Sequence, residues 1–346
     1  MKKFLMNRNL ILFLIIIFIF STVGFSNSLF FNYNSLLDIL NDSSILIILA
    51  LGQMFVILIR GIDLSVASNL ALSGMIVSLI SQANPDISVS LFIIIACLIG
   101  AFFGLINGIM IGYLKVPFII ATLGTLSIYR GLIYFISGGD QIYAHEFSKN
   151  FLSFIHFKFL TLPMMIWISI VIFILSHIML NHTRYGRNFY ALGGNPLGAK
   201  FIGINSTYYI LSAYTLSGLF SGLCGYLWVA KYSVASSQIA IGFELTVISA
   251  CVVGGISVMG GIGSVTGCVL GALLIGLIKN ILPSIDISQF WQLAISGIII
   301  LGALLQMETA NNIVSVLALI SIFIATINIV GGFMVTKRML AMFQRS

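Results

Sequence analysis

Charge is what this chain lacks. Asp, Glu, Lys and Arg together make up 7% of its 346 residues, where a soluble domain carries about 25%. That shortage excludes a soluble enzyme. It also leaves no room for a sizeable aqueous domain, because ten spans of roughly 20 apolar residues consume about 200 positions. Cysteine is equally sparse. Cys97, Cys224, Cys251 and Cys268 lie inside apolar runs, with no CxxC pair and no histidine at metal-ligand spacing, so they read as small packing residues and no metal site is expected. There is no GxxxxGK[ST] phosphate loop, so any energy from ATP has to come from a partner. His145, His156, His177 and His182 are scattered without a nucleophile, base and orienter set, so no catalytic residue and no bound cofactor are expected.

What the chain has in abundance is hydrophobic residues, at 60%. Hydropathy and punctuation place spans near 9–24, 44–60, 66–80, 90–113, 116–137, 162–180, 207–230, 243–259, 262–281, 290–306 and 313–332. Lys2, Lys3 and Arg8 before the run Leu10 to Phe20 resemble a signal peptide, but so hydrophobic a continuation favours an uncleaved first span. The net charge of +7 reads as topology in a membrane-lipid setting and not as nucleic-acid binding. With a cytoplasmic N-terminus, Arg60, Lys115, Arg184, Arg187 and Lys200 fall on the cytoplasmic side. Asp38, Asp42, Asp86, Asp140, Glu146, Glu244 and Asp286 fall on the external side or its loops, and Lys149, Lys158 and Lys231 are external exceptions.

Two glycine ladders stand out: Gly100, Gly104, Gly108 and Gly112 in one span, and Gly263, Gly267 and Gly271 in another. A spacing of four puts each set on one helix face, where backbones approach closely. The first ladder runs inward and the second outward, as an inverted repeat would give. A dinucleotide loop at Gly261 to Gly267 is disfavoured, since no strand precedes it.

Two segments carry specific polar content. In Arg60-Gly-Ile-Asp63-Leu-Ser65-Val-Ala-Ser68, Asp63 sits between hydrophobic stretches, where an unpaired carboxylate is costly. A broken helix is expected there, with Asp63 either capping the next helix in a solvated turn or lining a pathway. The segment 183–204 is the longest cytoplasmic one, basic at its start and broken by Gly193, Gly194 and Pro196. Phe189, Tyr190, Phe201 and Ile202 favour an interaction surface there over a solvated linker.

Four motifs follow one another along the chain: Gly61-Ile-Asp-Leu-Ser-Val-Ala-Ser68; Gly104-Leu-Ile-Asn-Gly108 through Lys115-Val-Pro-Phe-Ile-Ile-Ala-Thr-Leu-Gly124-Thr-Leu; Gly186-Arg-Asn-Phe-Tyr-Ala-Leu-Gly-Gly-Asn195; and Gly254-Gly-Ile-Ser-Val-Met-Gly-Gly-Ile-Gly-Ser264. In this order they resemble the ribose/xylose-type permeases of bacterial ABC sugar importers. The resemblance covers residues 1 to about 305. It implies an ATP-binding subunit that hydrolyses ATP, a periplasmic or lipoprotein sugar-binding protein, a second permease copy or paralogue, and ATPase contact through segment 183–204. Arg60 stands where the family has a further Gly, Ala67 replaces a common Gly, and Thr246 stands where the family usually has Asp, which removes any coupling role tied to that carboxylate. From about Ala294 the chain instead resembles the C-terminal membrane end of the proton-translocating NAD(P) transhydrogenase alpha subunit, through Ile295 to Gln306 and Ile322 to Phe343. The two families are alike around Ser296 to Leu304, so the chain reads as a fusion at a shared stretch.

The expected architecture is an all-α polytopic membrane protein of about ten transmembrane helices, with an eleventh from the tail left open. It divides into a permease domain at 1–305 and a transhydrogenase-like tail at 306–346. Ten spans return the chain to the cytoplasm near Gln306, so an eleventh would put Lys337, Arg338 and Arg345 outside, against the charge bias. The expected function is permease subunit of a monosaccharide importer in the bacterial inner membrane, with alternating access driven by partner ATPases. A neutral sugar calls for Asn, Thr, Ser and aromatic faces. Asp63, Ser65, Asn107, Phe118, Thr122 and Thr125 are therefore pathway candidates, with helix packing as the alternative for the last four. Arg187, Gly193, Asn195, Ala199 and Gly203 are the ATPase-contact candidates. A secondary transporter, a fragment related to the transhydrogenase membrane subunit, and a non-functional chimera remain as alternatives.

Overall fold

A computed structural model describes residues 8–26 and 31–284, with isolated positions at 291, 294, 297 and 298. The expected spans at 290–306 and 313–332 lie outside the described residues apart from those isolated helical positions. The all-α expectation is borne out. Among the described residues, seven helices are long and apolar enough to cross a membrane: α1 (Arg8–Ser26), α2 (Tyr33–Leu58), α3 (Val66–Ala83), α4 (Val89–Gly112), α5 (Phe118–Ser137), α7 (Met164–His182) and α10 (Ser206–Tyr232). Shorter helices are α6 (Lys149–His156), α8 (Arg184–Gly194), α9 (Pro196–Phe201) and α11 (Phe243–Val253), and α12 (Val265–Ser284) closes the described chain. The described strands are two-residue pieces: β1 (Ile142–Tyr143) pairs antiparallel with β4 (Val234–Ala235), and β2 (Lys158–Phe159) with β3 (Leu162–Pro163).

α2 is apolar all round from Ile45 to Leu58, apart from Gln53, and is buried there on every side, as such a pattern requires. It forms the axis around which α7, α10, α11 and α12 pack. α12 runs antiparallel to it, with Gly276 against Ser43 and Gly261 N–H donating to the Leu58 carbonyl at 2.9 Å. α4 crosses α10 with no side chain between the backbones. A Cβ at Gly104 would strike the Tyr214 carbonyl, and one at Gly218 the Gly100 carbonyl. The second ladder works differently, because Gly263 precedes α12, while Gly267 and Gly271 face the end of α11 at Gly254 and Ala250.

Two expected boundaries change. The span expected at 44–60 starts at Tyr33, because Asn32 caps it by accepting from Asn34 N–H, and Asp38 and Asp42 therefore ride on the helix and not in a loop. The span expected at 243–259 is helical only to Val253. Gly255, Gly260 and Gly261 all have positive φ and turn the backbone away. Backbone groups of this turn are met within the protein: Ser257 N–H donates to Ile262 O at 2.9 Å and Ile256 N–H to Cys251 O at 3.0 Å, as a low-dielectric setting demands.

The break expected at Asp63 is present, spanning Ile59 to Ser65 between α2 and α3. α2 ends in a Schellman motif, with Arg60 N–H on the Ile57 carbonyl and Gly61 N–H on the Val56 carbonyl, both at 2.9 Å. Arg60, Lys115, Arg184, Arg187 and Lys200 lie on the face that carries α8 and α9, the cytoplasmic face by the charge bias.

Candidate functional site

The break is held by a polar network inside the bundle. Asp63 Oδ1 accepts from Ser65 N–H at 3.0 Å and from Ser65 Oγ at 2.7 Å, while Ser217 Oγ on α10 donates to Asp63 Oδ2 at 2.9 Å. Asn107 on α4 donates from Nδ2 to Ser65 Oγ at 2.8 Å, and Thr125 on α5 donates to Asn107 Oδ1 at 2.8 Å. Thr122, one turn earlier, donates to its own helix at Phe118 O (2.8 Å) and reaches the Ile62 carbonyl at 3.4 Å. Set in the amide orientation its neighbours require, Gln53 donates to the Asp63 carbonyl at 3.2 Å and accepts from Asp63 N–H at 3.0 Å. Four helices, α2, α4, α5 and α10, thus converge on the break at Asp63, whose carboxylate is met directly by Ser65 and Ser217.

Asp63 is 2% exposed. Burial raises its carboxyl above the usual aspartate range, and the hydroxyl bonds from Ser65 and Ser217 oppose that shift, as does the Ser65 N–H. It caps no helix in a solvated turn; it is an interior linker group. Ser65, Asn107, Thr122 and Thr125 are likewise buried, and Phe118 is half-buried at the start of α5. Ser217, Gln53 and Tyr214, which meets Ile62 O at 3.4 Å, escaped the sequence reading. Their one signal was polarity within apolar helices, and Ser217 and Tyr214 find their partners 154 and 152 positions away along the chain.

The second site lies on the face that carries α8 and α9. α8 starts at Thr183, whose Oγ1 accepts from Gly186 N–H at 3.1 Å, and α9 starts at Asn195, whose Oδ1 accepts from Gly198 N–H at 2.9 Å, with Pro196 in its first turn. Phe189 is fully buried against Phe55, with ring centroids 5.6 Å apart, and Tyr190 donates to Gly263 O at 3.1 Å. Leu197, Phe201 and Ile202 stay exposed, Phe201 at 89%. Of the five contact candidates, Arg187, Asn195 and Gly203 are exposed, whereas Gly193 and Ala199 are buried. Gly193 packs on the Leu58 carbonyl and Gly261 N, leaving no space for a Cβ.

Arg60 joins the two sites. It holds φ 67° at the Schellman position glycine usually takes. Its side chain donates to the Gly193 carbonyl at 2.6 Å and the Gly194 carbonyl at 2.9 Å, where a cation meets the negative end of α8. Among the described residues no group of three or more His, Cys, Asp or Glu is placed to hold a metal. Cys251 and Cys268, 4.0 Å apart at sulfur, are free thiols.

Known proteins resemble the chain closely. The family described as branched-chain amino acid transport system / permease component matches residues 35–304. The ribose import permease protein of Haemophilus influenzae is 38% identical over 296 residues, covering 85% of this chain and 91% of that protein. Autoinducer 2 import system permease proteins of Yersinia enterocolitica and Salmonella typhi are 33% and 32% identical, covering 86% and 88% of this chain and 82% and 87% of theirs. No solved structure matches. The 4TM region of pyridine nucleotide transhydrogenase matches residues 264–345, so that likeness starts some thirty residues before the point the sequence motifs marked and overlaps the permease match. The chain is a multi-pass transport protein of the bacterial inner membrane, and with the permease match spanning most of its length it belongs to the branched-chain amino acid transport system / permease component family.

Proposed function

We propose that the chain imports a monosaccharide of the ribose type, as one of two permease subunits whose alternating access is driven by ATP hydrolysis on separate ATP-binding subunits and fed by a periplasmic or lipoprotein sugar-binding protein. The observation that carries this reading is the likeness to a ribose import permease over 85% of this chain and 91% of that protein. The chain itself does no covalent chemistry and binds no cofactor; ATP belongs to the partner. Residues 1–305 form the permease and 306–346 an appended tail.

In this reading α9 is the part that meets the ATPase. Leu197, Phe201 and Ile202 are exposed beside Arg187, Asn195 and Gly203 on the cytoplasmic face, an apolar patch with a polar rim of the kind that docks a partner. Gly193 and Ala199 support it from beneath. The Thr125, Asn107, Ser65, Asp63 and Ser217 network, with Thr122 and Phe118 beside it, forms the closed inner section of the pathway. Exposed Phe201→Asp should preserve membrane insertion and abolish sugar-stimulated ATPase activity in the reconstituted complex; normal stimulation would remove α9 from the contact. Uptake of labelled ribose against labelled autoinducer 2 separates the two cargoes that the relatives' names supply.

A further inference from the structure

We propose that the outer half of the bundle holds a sugar-binding cavity of about 660 Å³, lined by Asp42, Trp228, Tyr232, Gln238, Lys279 and Asn280. The proposal rests on the importer reading and adds to it a site distinct from the Asp63 network. Trp228 lies eleven residues beyond Ser217 on α10, roughly 16 Å further along the helix axis.

The cavity is unusual first for its charge. Asp42 lies nine residues into α2, about 13 Å from its outer end, and pairs with Lys231 near the end of α10. Lys279 lies within α12, its ammonium 5.6 Å from the centre of the Phe243 ring. In a chain with so few charges, Asp42 and Lys279, both set below the outer helix ends, are costly unless water or ligand reaches them.

The wall is built from a segment that folds back inward. After α10, residues 233–242 turn down into the bundle, pinned by the β4–β1 pairing and by Arg130, which donates to Ser237 O at 2.7 Å and Ile239 O at 2.8 Å. Gln238 is held by its bond to Tyr134 Oη at 2.8 Å, leaving its amide oxygen free to accept. Asn280 spends one donor on Gly276 O at 3.0 Å and keeps its own oxygen. Trp228 and Tyr232 pack with ring centroids 5.2 Å apart, and the size falls in the range of small-molecule sites, about 300–1,000 Å³.

Rings for C–H faces and amides for hydroxyls fit a polyhydroxylated ring. A zwitterionic amino acid would need a free carboxylate for its ammonium group, but Asp42 is already engaged by Lys231. The geometry therefore favours a neutral sugar.

The test uses the full chain in lipid nanodiscs carrying Trp167→Phe and Trp291→Phe, so that Trp228 is the sole indole. D-Ribose, D-xylose, D-glucose and L-leucine are titrated separately. The expected result is a saturable change in Trp228 emission with at least one sugar and none with leucine, weakened about tenfold or more by Gln238→Ala or by Asn280→Ala. No response to any of the sugars, a response to leucine alone, or a sugar response that both variants leave unchanged would overturn the site. Uptake by the complete importer tests the permease reading separately: normal sugar uptake together with a silent Trp228 removes the cavity and leaves that reading standing.

Discussion

Arg60 occupies a backbone conformation that costs an L-residue about 1–2 kcal/mol, and what offsets the cost is its pair of bonds to the last carbonyls of α8. Substitution should therefore separate the two terms. Arg60→Gly loses the bonds but relieves the backbone, whereas Arg60→Ala loses the bonds and keeps the strain, so thermal stability in detergent should fall in the order wild type, Gly, Ala, with Gly above Ala by about 1 kcal/mol. Equal melting of the two variants would mean the positive φ carries no cost. Asp63 gives the second residue-scale prediction. Its carboxyl is raised by burial, so the folded protein holds that proton more tightly than the unfolded chain does. The resulting stabilisation is complete below the unfolded value of about 3.9 and is lost as pH climbs through the raised folded value. Asp63→Asn removes this dependence and lets Ser217 reverse its hydroxyl, so the Asn variant should gain on the wild type as pH rises across that window. A constant difference in melting temperature with pH would contradict it. Sequence made Asp63, Ser65, Asn107 and Thr125 visible one at a time, because a polar group in an apolar run needs a partner. Which partner was not visible, since Ser217 reaches Asp63 across 154 positions.

Among elements, the helix contacts that can be read from spacing are those where side chains are missing. The ladder in α4 announced one glycine face, and that face lies on α10, with Gly218 and Gly222 supplying the complementary surface. Gly104→Val would drive a side chain into the Tyr214 carbonyl and force the two helices apart, an overpacking cost of about 1–3 kcal/mol or more. The matched control is Gly124→Ala on α5, where a Cβ meets nothing within 4 Å and helix propensity favours alanine by about 1 kcal/mol. Size-exclusion profiles and melting in detergent should show loss of folded protein for the first and none for the second; equal behaviour would deny the close α4–α10 crossing. Hydropathy alone could not find the early end of α11, because residues 243–259 are apolar almost throughout. The stop is set by the positive-φ glycines and by the backbone bond from Gly261 to Leu58 of α2, which a hydropathy window does not register. The charge bias placed Asp42 and Lys231 on the external side or its loops; Asp42 rides on α2 and forms a part-buried ion pair with Lys231 near the end of α10.

For the whole molecule, charge bias and family likeness make separable claims about the tail. The permease match ends at residue 304 and the transhydrogenase match continues to 345, so the last forty residues are apolar sequence with one parent only. On the expected ten-span topology the chain returns to the cytoplasm near Gln306. An eleventh would carry Lys337, Arg338 and Arg345 outward, and basic residues close to a span end resist that transfer. A topology reporter fused after Ser346 should therefore signal from the cytoplasm, in a protein that still melts cooperatively in detergent. Truncation after Gln306 should leave sugar uptake within about twofold of the full chain, since in that case the tail adds nothing to the bundle. An external reporter would mean that apolar length outweighs the basic flank, and loss of uptake on truncation would tie the tail to the last permease span. Either result would move the domain boundary away from residue 305.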